Sequence, residues 1–146
     1  MIDRLFPAAM DLSTVISKSR LAKRRRKARC GLFCADTDVN TVAGYDTLSQ
    51  HSVDLVKLPE GMAKKLPKYR EVPATLLGRL AVSERFRGQK LGEFLMLDAL
   101  YRCLRQSQQV RSAAVVVDVK DEPAKSFYEH FEFVALPDSP NRLFFP

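Results

Sequence analysis

Residues 80–92 read LAVSERFRGQKLG, and this stretch decides the fold. It joins an apolar strand expected over Thr75 to Val82, a polar turn over Ser83 to Gly88, and a helix over Leu91 to Arg105 whose apolar residues recur at helical spacing. The first N–H groups of a helix have no partner within it, and the helix dipole favours negative charge there. The stretch therefore predicts a strand–turn–helix unit that binds an anion such as a pyrophosphate.

The segments on either side of this unit predict one α/β domain over residues 1–146, with a mixed central sheet. Before it, the patterns predict an amphipathic helix over Asp11 to Lys27, a strand over Cys30 to Ala35, a turn over Asp36 to Asn40, strands over Thr41 to Leu48 and Ser52 to Leu58, and a proline-rich basic connection over Pro59 to Pro73. After it, they predict a buried strand over Ser112 to Val119, a helix with Asp121 as its N-cap, and short strands over Phe133 to Leu136 and Arg142 to Phe145.

The positive charge of the chain is concentrated in one block. The net charge is +7, and eight of the 24 basic residues lie between Lys18 and Arg29, where there is no acidic residue. This leaves 16 basic against 17 acidic residues in the rest of the chain, which is close to neutral. A block this dense is either a solvated helix face or a footprint for a polyanion, so a nucleic acid is a candidate partner.

Membrane and metal-dependent functions are not expected. No stretch approaches the roughly 20 apolar residues of a membrane span. The segment Met1 to Leu12 lacks the apolar core of a signal peptide, so we expect a cytoplasmic protein. The three cysteines have neither metal-binding nor disulfide spacing and are expected to be reduced and buried. The two histidines, His51 and His130, are expected to be surface residues and not bases.

Two motifs resemble those of the GNAT acetyltransferase family. Arg87-x-x-Lys90-x-Gly92 resembles its acetyl-CoA motif, R/Q-x-x-G-x-G/A, and residues 124–133 (AKSFYEHFEF) resemble its A/N-x-x-F-Y-x-x-x-G-F motif. The resemblance implies a GNAT fold, in which a splayed pair of parallel strands is flanked by helices, and acetyl-CoA as co-substrate. It implies Tyr128 as the acid that protonates the departing thiolate, a role suited to a phenol with an ordinary pKa near 10. It implies acetyl-CoA binding by Leu80, Ala81, Val82, Arg87, Gly88, Gln89, Lys90, Leu91 and Gly92.

Both motifs carry a charged residue where the family has glycine. If Lys90 has a left-handed backbone, it costs about 1–2 kcal/mol relative to glycine. If it is helical, the lysine is harmless and its ammonium adds to phosphate binding. We expect the helical conformation and retained binding. Glu132 replaces the glycine that caps the last helix in a left-handed conformation, so the form of that turn is left open.

Further stretches resemble the tRNA-acetylating toxins within this family. These are residues 44–49 (GYDTLS), 77–82 (LGRLAV) and 127–131 (FYEHF), together with the arginines before the first strand. The resemblance is poorest before Arg20, so residues 1–19 are expected to be a divergent or shortened N-terminus. It implies direct acetylation of the α-amino group of an aminoacyl-tRNA, which blocks translation, and a ribbon–helix–helix antitoxin as partner. Phosphate contacts to the tRNA are assigned to Arg24, Arg25, Arg26, Lys64 and Lys65.

Two other functions stay open at this point. A GNAT enzyme can acetylate a protein amine, whereas a polyamine acceptor calls for acidic residues that this basic chain does not concentrate. A catalytically inactive GNAT scaffold that binds RNA or a partner protein is the second alternative, because Lys90 and Glu132 depart from the motifs. The sequence does not decide whether the chain forms a homodimer.

Overall fold

The computed structural model of the chain describes residues 24–27, 30–35, 38–54, 56, 58–64, 70–107 and 112–146. The strands within these residues are β1 (Arg24–Lys27), β2 (Cys30–Ala35), β3 (Asp38–Asp54), β4 (Glu71–Val82), β5 (Val115–Asp118), β6 (Val134–Leu136) and β7 (Ser139–Phe145). The helices are α1 (Glu60–Ala63), α2 (Leu91–Ser107) and α3 (Glu122–His130), with a short 3-10 helix, Glu84–Phe86, between β4 and α2. The predicted strand–turn–helix unit is confirmed, and α2 begins at Leu91 as predicted.

The described strands form one mixed sheet in the order β1-β2-β3-β4-β5-β7-β6. β4 and β5 are parallel, and their described residues pair at two positions, Thr75 opposite Val115 and Leu76 opposite Val116. Beyond these positions β4 continues to Val82 against β3, while β5 stays paired with β7. A gap, which we call the wedge, therefore opens between residues 77–82 of β4 and the end of β5. The predicted α/β fold with a splayed parallel pair is confirmed.

The first half of the chain departs from the predicted elements. The helix predicted over Asp11 to Lys27 is wrong for its last four residues, which form β1 and pair along the whole of their length with β2. Strand pairing overrides the helical spacing there, and residues 11–23 lie outside the described part. The predicted strand over Cys30 to Ala35 is confirmed as β2. The two strands predicted after it are one strand, β3, which pairs with β4 from Gly44 to Asp54 with one register shift between Thr47 and Leu48.

Each face of the sheet carries its own apolar core, because successive residues of a strand point to opposite faces. Val115 and Val117 of β5 belong to the cluster that contains the buried residues of α2 and α3. Val116, between them, belongs to a second cluster with Phe144 of β7. The first cluster therefore holds the two long helices against the sheet. Among the described residues, no helix has the length and apolar character needed to cross a membrane.

A buried charge network attaches α2 to β3. The guanidinium of Arg102 in α2 pairs with Asp46 of β3 and, at 2.9 Å, with Asp98 one turn earlier in the helix. Asp46 is fully buried and Asp98 nearly so. Burial alone would lower the pKa of Arg102, but the hydrogen bond and charge of Asp46, together with Asp98, raise it, so the guanidinium stays charged. Breaking such a network leaves a buried charge uncompensated, so it holds α2 strongly in place.

Candidate functional site

The turn before α2 has an unusual supply of free backbone donors. Gly88 and Lys90 have positive φ angles, of 75° and 59°. The carbonyl of Lys90 accepts the first helical hydrogen bond, from the N–H of Phe94 at 3.1 Å. None of the N–H groups from Gly88 to Glu93 forms a short, well-aligned hydrogen bond with another described residue. We call residues 88–93 the open turn. Six consecutive donors beside a helix N-terminus form a site for an anion.

The expected helical conformation of Lys90 is wrong, because its φ of 59° lies in the left-handed region. A lysine there costs about 1–2 kcal/mol that glycine does not cost, because its Cβ approaches the following carbonyl. The side chain of Lys90 is exposed and makes no ion pair with a described residue. Arg87, by contrast, lies 3.5 Å from the carboxylate of Glu84, and both side chains are largely exposed. Of Arg87 and Lys90, only Arg87 therefore forms an ion pair with a described residue.

Gly44 of β3 allows α2 to pack closely on the sheet, and Gly92 of α2 lies near β4 and α3. A Cβ added to Gly44 of β3 would lie 2.9 Å from the carbonyl oxygen of Ala81 and 2.9 Å from Cδ1 of Leu95, so only glycine lets α2 come this close. A Cβ added to Gly92 would lie 3.8 Å from both the Phe127 ring and the Val82 side chain. The predicted residues Leu80, Ala81 and Val82 lie on the stretch of β4 that borders the wedge, and residues 83–87 separate them from the open turn.

Tyr128 lies on α3 with its ring in the core. Asp121 accepts a hydrogen bond from the N–H of Ala124 at 2.8 Å, which confirms it as the N-cap of this helix. The Tyr128 ring packs edge-on against Phe127 and Phe133, each with a centroid distance of 5.5 Å. Its hydroxyl has no hydrogen-bond partner among the described residues, yet it is not one of the fully buried polar atoms. Burial raises the pKa of Tyr128 to about 12, so the phenol stays protonated at neutral pH.

The turn that ends α3 is fully formed although Glu132 replaces glycine. Glu132 has a φ of 63°, in the left-handed region. Its N–H donates to the carbonyl of Glu129 at 2.9 Å, and the N–H of Phe133 donates to the carbonyl of Tyr128 at 3.2 Å. This is a Schellman motif, completed by the ring contact between Phe133 and Tyr128. We call residues 128–133 the closed turn.

The described cysteine and the two histidines differ in how far they are buried. Cys103 is buried as predicted, and burial raises the pKa of its thiol to about 12, so it is not a nucleophile. The side chains of Cys30 and Cys34 lie outside the described part. His130 is exposed as predicted, but the same prediction is wrong for His51, which is half-buried in β3 with its Nε2 enclosed. Within the described residues, no group of three or more candidate ligands surrounds a common metal position.

The assigned basic residues fall on two separate elements. Arg24, Arg25 and Arg26 lie in β1, the edge strand of the sheet. Lys64 follows α1, is exposed, and lies 3.6 Å from Glu60, whereas Lys65 lies outside the described residues. The described residues of this set therefore lie at the β1 edge of the sheet and in the connection between β3 and β4.

Sequence reasoning missed three contributors to this site. Gly44 permits the approach of α2, Phe127 packs against the helix start, and Asp46 anchors α2 from the neighbouring strand. A carboxylate in an apolar strand was the available signal for Asp46, since a buried acid requires a partner. Asp98 and Arg102, four residues apart on a predicted helix, were the signal for that partner. The contacts of Gly44 and Phe127 depend on the packing of distant elements and left no local signal.

The site lies within a stretch that matches a known family. Residues 28–135 match the model of the acetyltransferase (GNAT) domain. The chain belongs to this family, which confirms the prediction made from the two motifs.

The relatives of the chain within this family are toxins. A tRNA-acetylating toxin of Mycobacterium tuberculosis is 33% identical over 116 residues, covering 80% of this chain and 67% of that protein. The structure of AtaT complexed with acetyl-methionyl-tRNAfMet is similar with a TM-score of 0.75 at 29% identity, covering 97% of this chain and 79% of AtaT. The structure of a tyrosine-to-phenylalanine mutant of AtaT, bound to the C-terminus of the antitoxin AtaR and acetyl-CoA, is similar with a TM-score of 0.65 at 25% identity. The match covers 97% of this chain and 77% of that chain. The predicted likeness to tRNA-acetylating toxins is confirmed, and the chain spans about two thirds of the length of the curated relatives it matches.

Proposed function

We propose that this chain is an acetyl-CoA-dependent N-acetyltransferase that acetylates the α-amino group of an aminoacyl-tRNA and so blocks translation. The observation that carries the proposal is the run of six N–H groups from Gly88 to Glu93 at the start of α2, none of which forms a short, well-aligned hydrogen bond with a described residue. Free donors at a helix start suit a pyrophosphate, and an unpaired strand edge suits the amide groups of a pantetheine arm. The donor set of this site therefore fits CoA.

The residues proposed to hold acetyl-CoA divide into two groups. The open turn and Arg87 bind the pyrophosphate through the N–H groups of Gly88, Gln89, Lys90, Leu91 and Gly92. The edge residues Leu80, Ala81 and Val82 align the pantetheine arm along β4. Acetyl-CoA supplies the acetyl group as an activated thioester. A strand-edge N–H directed at the thioester oxygen would stabilise the negative charge that develops there.

Tyr128 is the proposed catalytic residue. Its hydroxyl is free to donate a hydrogen bond, and the raised pKa of about 12 keeps the proton in place. A pKa above that of a thiol, about 8.5, makes complete proton transfer to a thiolate unfavourable in the empty site. Tyr128 therefore acts first as a hydrogen-bond donor to the thiolate as it leaves. The thiolate is then protonated by the proton that the attacking amine loses, relayed through the Tyr128 hydroxyl, so the phenol is protonated again at the end of the reaction.

The acceptor is proposed to be an amine that needs no strong base. An α-amino group has a pKa of about 7.7–8.0, so a substantial fraction is neutral at cellular pH. This agrees with the lack of a described histidine or thiol suited to be a base. The tRNA is proposed to contact Arg24, Arg25 and Arg26 on β1 and Lys64 and Lys65 after α1, through its phosphates. Relatives that acetylate tRNA or are bound to acetylated tRNA support this acceptor class.

The cellular setting follows from the same relatives. We propose that the chain is the toxin of a toxin–antitoxin pair and acts in the cytoplasm, where aminoacyl-tRNA is available. The structure of AtaT with the C-terminus of AtaR supports an antitoxin partner, and we propose that this partner carries a ribbon–helix–helix domain. Whether the chain acts as a homodimer stays a separate question, which its mass in solution answers. We further propose that residues 1–146 act as one domain.

The test is transfer of radiolabelled acetyl from acetyl-CoA to total tRNA, charged in one arm and deacylated in the other. We expect label on charged tRNA alone, and mild alkaline deacylation should release it as an N-acetyl amino acid. Label on neither tRNA, with acetyl-CoA bound, would contradict the tRNA acceptor and direct the search to protein amines. No binding of acetyl-CoA at all would contradict the enzyme and favour the inactive scaffold.

The proposed tRNA contacts have a matched control. Arg25→Gln should weaken tRNA affinity and reduce the slope of log affinity against log salt by about 1. Arg105→Gln removes an exposed arginine from α2 that is not assigned to tRNA and should leave both quantities unchanged. Equal effects of the two variants would contradict the assignment to β1.

A further inference from the structure

The face of the sheet opposite α2 and α3, which we call the far face, has polar residues beside the wedge. Asp46 of β3 pairs with Leu80 of β4, and both point towards the helices, Asp46 through its ion pair with α2 and Leu80 through the first cluster. Successive residues of a strand alternate between the two faces. Tyr45 and Thr47 of β3 and Arg79 of β4 therefore lie on the far face.

Arg79 is a cation without a described partner at the border of the wedge. Its side chain is exposed and forms no ion pair, hydrogen bond or ring contact with a described residue. It belongs to residues 77–82 of β4, which the described part of β5 leaves unpaired on that side. Arg142 of β7, by contrast, is held by both carboxylate oxygens of Asp118, at 2.6 and 2.8 Å. Of these two arginines, only Arg79 is therefore available to a ligand.

An aromatic ring lies diagonally across from Arg79. Thr47 is the cross-strand partner of Arg79, and Tyr45 lies two residues before Thr47 on the same face. Such diagonal neighbours are about 7–8 Å apart, within reach of an aromatic ring and a long side chain. Tyr45 is half-buried and forms no hydrogen bond or ring contact with a described residue. An unpaired guanidinium beside a partly exposed ring suits an unpaired nucleotide, with the charge for the phosphate and the ring for the base.

The register of the sheet connects Arg79 with the basic edge strand β1. Lys27 of β1 pairs with Cys30 of β2, Cys30 pairs with Thr47 of β3, and Thr47 pairs with Arg79. Lys27 and Arg79 thus occupy one row across the sheet, at register positions about 14 Å apart. The row contains no acidic residue, which favours a polyanion over it. It joins the edge strand to which tRNA phosphates are assigned with the border of the wedge.

We propose that Arg79 and Tyr45 bind the unpaired 3′ end of the acceptor tRNA, with Arg79 on a phosphate and Tyr45 stacked on a base. This assignment rests on the proposed function. The amino acid of an aminoacyl-tRNA is carried by the 3′-terminal nucleotide, so this end has to reach the wedge. The open turn and Tyr128 lie on the helix side of the sheet. The RNA end therefore enters the wedge from the face opposite to the acetyl-CoA site.

Two RNAs that differ only in this end test the assignment. One is an intact deacylated tRNA, and the other is the same tRNA trimmed of its unpaired 3′ nucleotides. Arg79→Gln should bind the intact tRNA about 5- to 10-fold more weakly, because a hydrogen bond between charged groups is lost. The slope of log affinity against log salt should fall by about 0.7, the value for one phosphate of a single strand. The trimmed tRNA should bind as tightly as it does to the wild type.

The stacking role of Tyr45 is tested with the same two RNAs. Tyr45→Ala should weaken binding of the intact tRNA by about 5- to 100-fold. Tyr45→Leu keeps apolar bulk for the fold and should lose the same affinity, so it replaces the alanine variant if that variant unfolds. Tyr45→Phe keeps the ring and should retain most of the affinity. Affinities are measured by fluorescence anisotropy, and the Tm of each variant is measured without RNA.

Arg105→Gln is the matched control, because it removes another exposed arginine without a described partner, on α2. It should change the affinity for neither RNA. In acetyl transfer to charged tRNA, Arg79→Gln should raise KM and leave kcat close to that of the wild type, because the contact binds the substrate in the ground state. Its affinity for acetyl-CoA should also match that of the wild type.

The outcomes separate this assignment from the proposed function. An equal loss of affinity for the intact and the trimmed tRNA would place Arg79 against the paired stem and overturn its assignment to the 3′ end. No loss with either RNA would overturn the role of Arg79, while acetyl transfer to charged tRNA by the wild type would uphold the proposed function. If the wild type neither binds tRNA nor acetylates it, both are overturned.

Discussion

The open turn and the closed turn each contain a left-handed residue other than glycine at the end of a helix, but they differ in the hydrogen bonding of their N–H groups. Each contains a charged residue, Lys90 or Glu132, in the left-handed conformation that the family motif gives to glycine. In the closed turn the N–H groups of Phe131, Glu132 and Phe133 all donate to carbonyls of α3. In the open turn six N–H groups form no short, well-aligned hydrogen bond with a described residue. A left-handed residue at a helix end completes the structure, whereas one at a helix start leaves donors available to a ligand.

The two departures from the family motifs, Glu132 and Lys90, therefore have different structural consequences. Glu132 is tolerated because the bonds around it and the packing of Phe133 against Tyr128 define the turn whatever its side chain. One of its carboxylate oxygens is even buried without a partner among the described residues, so it contributes nothing there. Lys90 presents its charge to solvent beside unpaired donors. Glu132 is therefore a structural cost, whereas Lys90 lies within the proposed site.

Tyr128→Phe separates the catalytic and structural roles of the closed turn and has the largest expected effect. The carbonyl of Tyr128 forms the turn, and its hydroxyl bonds to no described residue. Acetyl transfer to charged tRNA should therefore fall by about 10²–10⁴-fold, because the donor to the thiolate is lost. Acetyl-CoA affinity and Tm should stay close to those of the wild type. A parallel loss of Tm would show that the hydroxyl also supports the fold.

Gly44→Ala tests the packing that positions the open turn. The new Cβ would meet the Ala81 carbonyl oxygen and Cδ1 of Leu95, each at 2.9 Å, so α2 or β4 must move. Overpacking of this kind should lower the free energy of unfolding by about 1–3 kcal/mol, and acetyl-CoA affinity should fall because the donors shift. Both are read from urea unfolding and calorimetry. Gly61→Ala, where a Cβ meets nothing within 4 Å, is the control: it should leave acetyl-CoA affinity unchanged and should not lower the free energy of unfolding, because alanine suits helix α1 better than glycine.

High pH should destabilise the closed turn through Tyr128. Burial raises its pKa to about 12 in the folded state, from about 10 in the unfolded state. The folded state then binds the proton more tightly, so stability falls as pH rises from 10 towards 12. At pH 11 this one group should lower the free energy of unfolding by about 1 kcal/mol. Subtracting the pH profile of Tyr128→Phe isolates the effect, and identical profiles would mean that the phenol is solvated.

Asp121→Ala tests the other end of the helix that carries the closed turn and has the smallest expected effect. Loss of the acceptor for the Ala124 N–H should lower the free energy of unfolding by about 1 kcal/mol. Asp121→Asn keeps an acceptor oxygen and should restore most of that stability. Both are measured by urea unfolding. If asparagine behaves as alanine does, the carboxylate charge and not the hydrogen bond supports α3.

Local signals predicted the parts of the site that depend on local chemistry. The start of α2 at Leu91 and the cap at Asp121 were predicted because polar turn residues precede an apolar helical pattern in both places. The anion site that the motif predicts for the same reason stays a prediction. The left-handed conformation of Lys90 was not predicted, because the side chain argues against it and only the surrounding fold imposes it. β1 was missed because its strand conformation depends on pairing with β2. The spacing of apolar residues within β1 itself gives no indication of that pairing.

The pairing of β4 with β5 at two described positions joins two halves of the sheet. One half consists of β1 to β4 and the other of β5 to β7, and the pin between them is Thr75–Leu76 against Val115–Val116. The pin is reinforced by the Thr75 N–H bond to Ala114 at 2.9 Å and by the hydroxyl pair of Thr75 and Ser112 at 3.1 Å. The pin lies at the narrow end of the wedge, where the two halves begin to diverge. The position at which β4 and β5 separate is thus set by residues that border neither the open turn nor the closed turn.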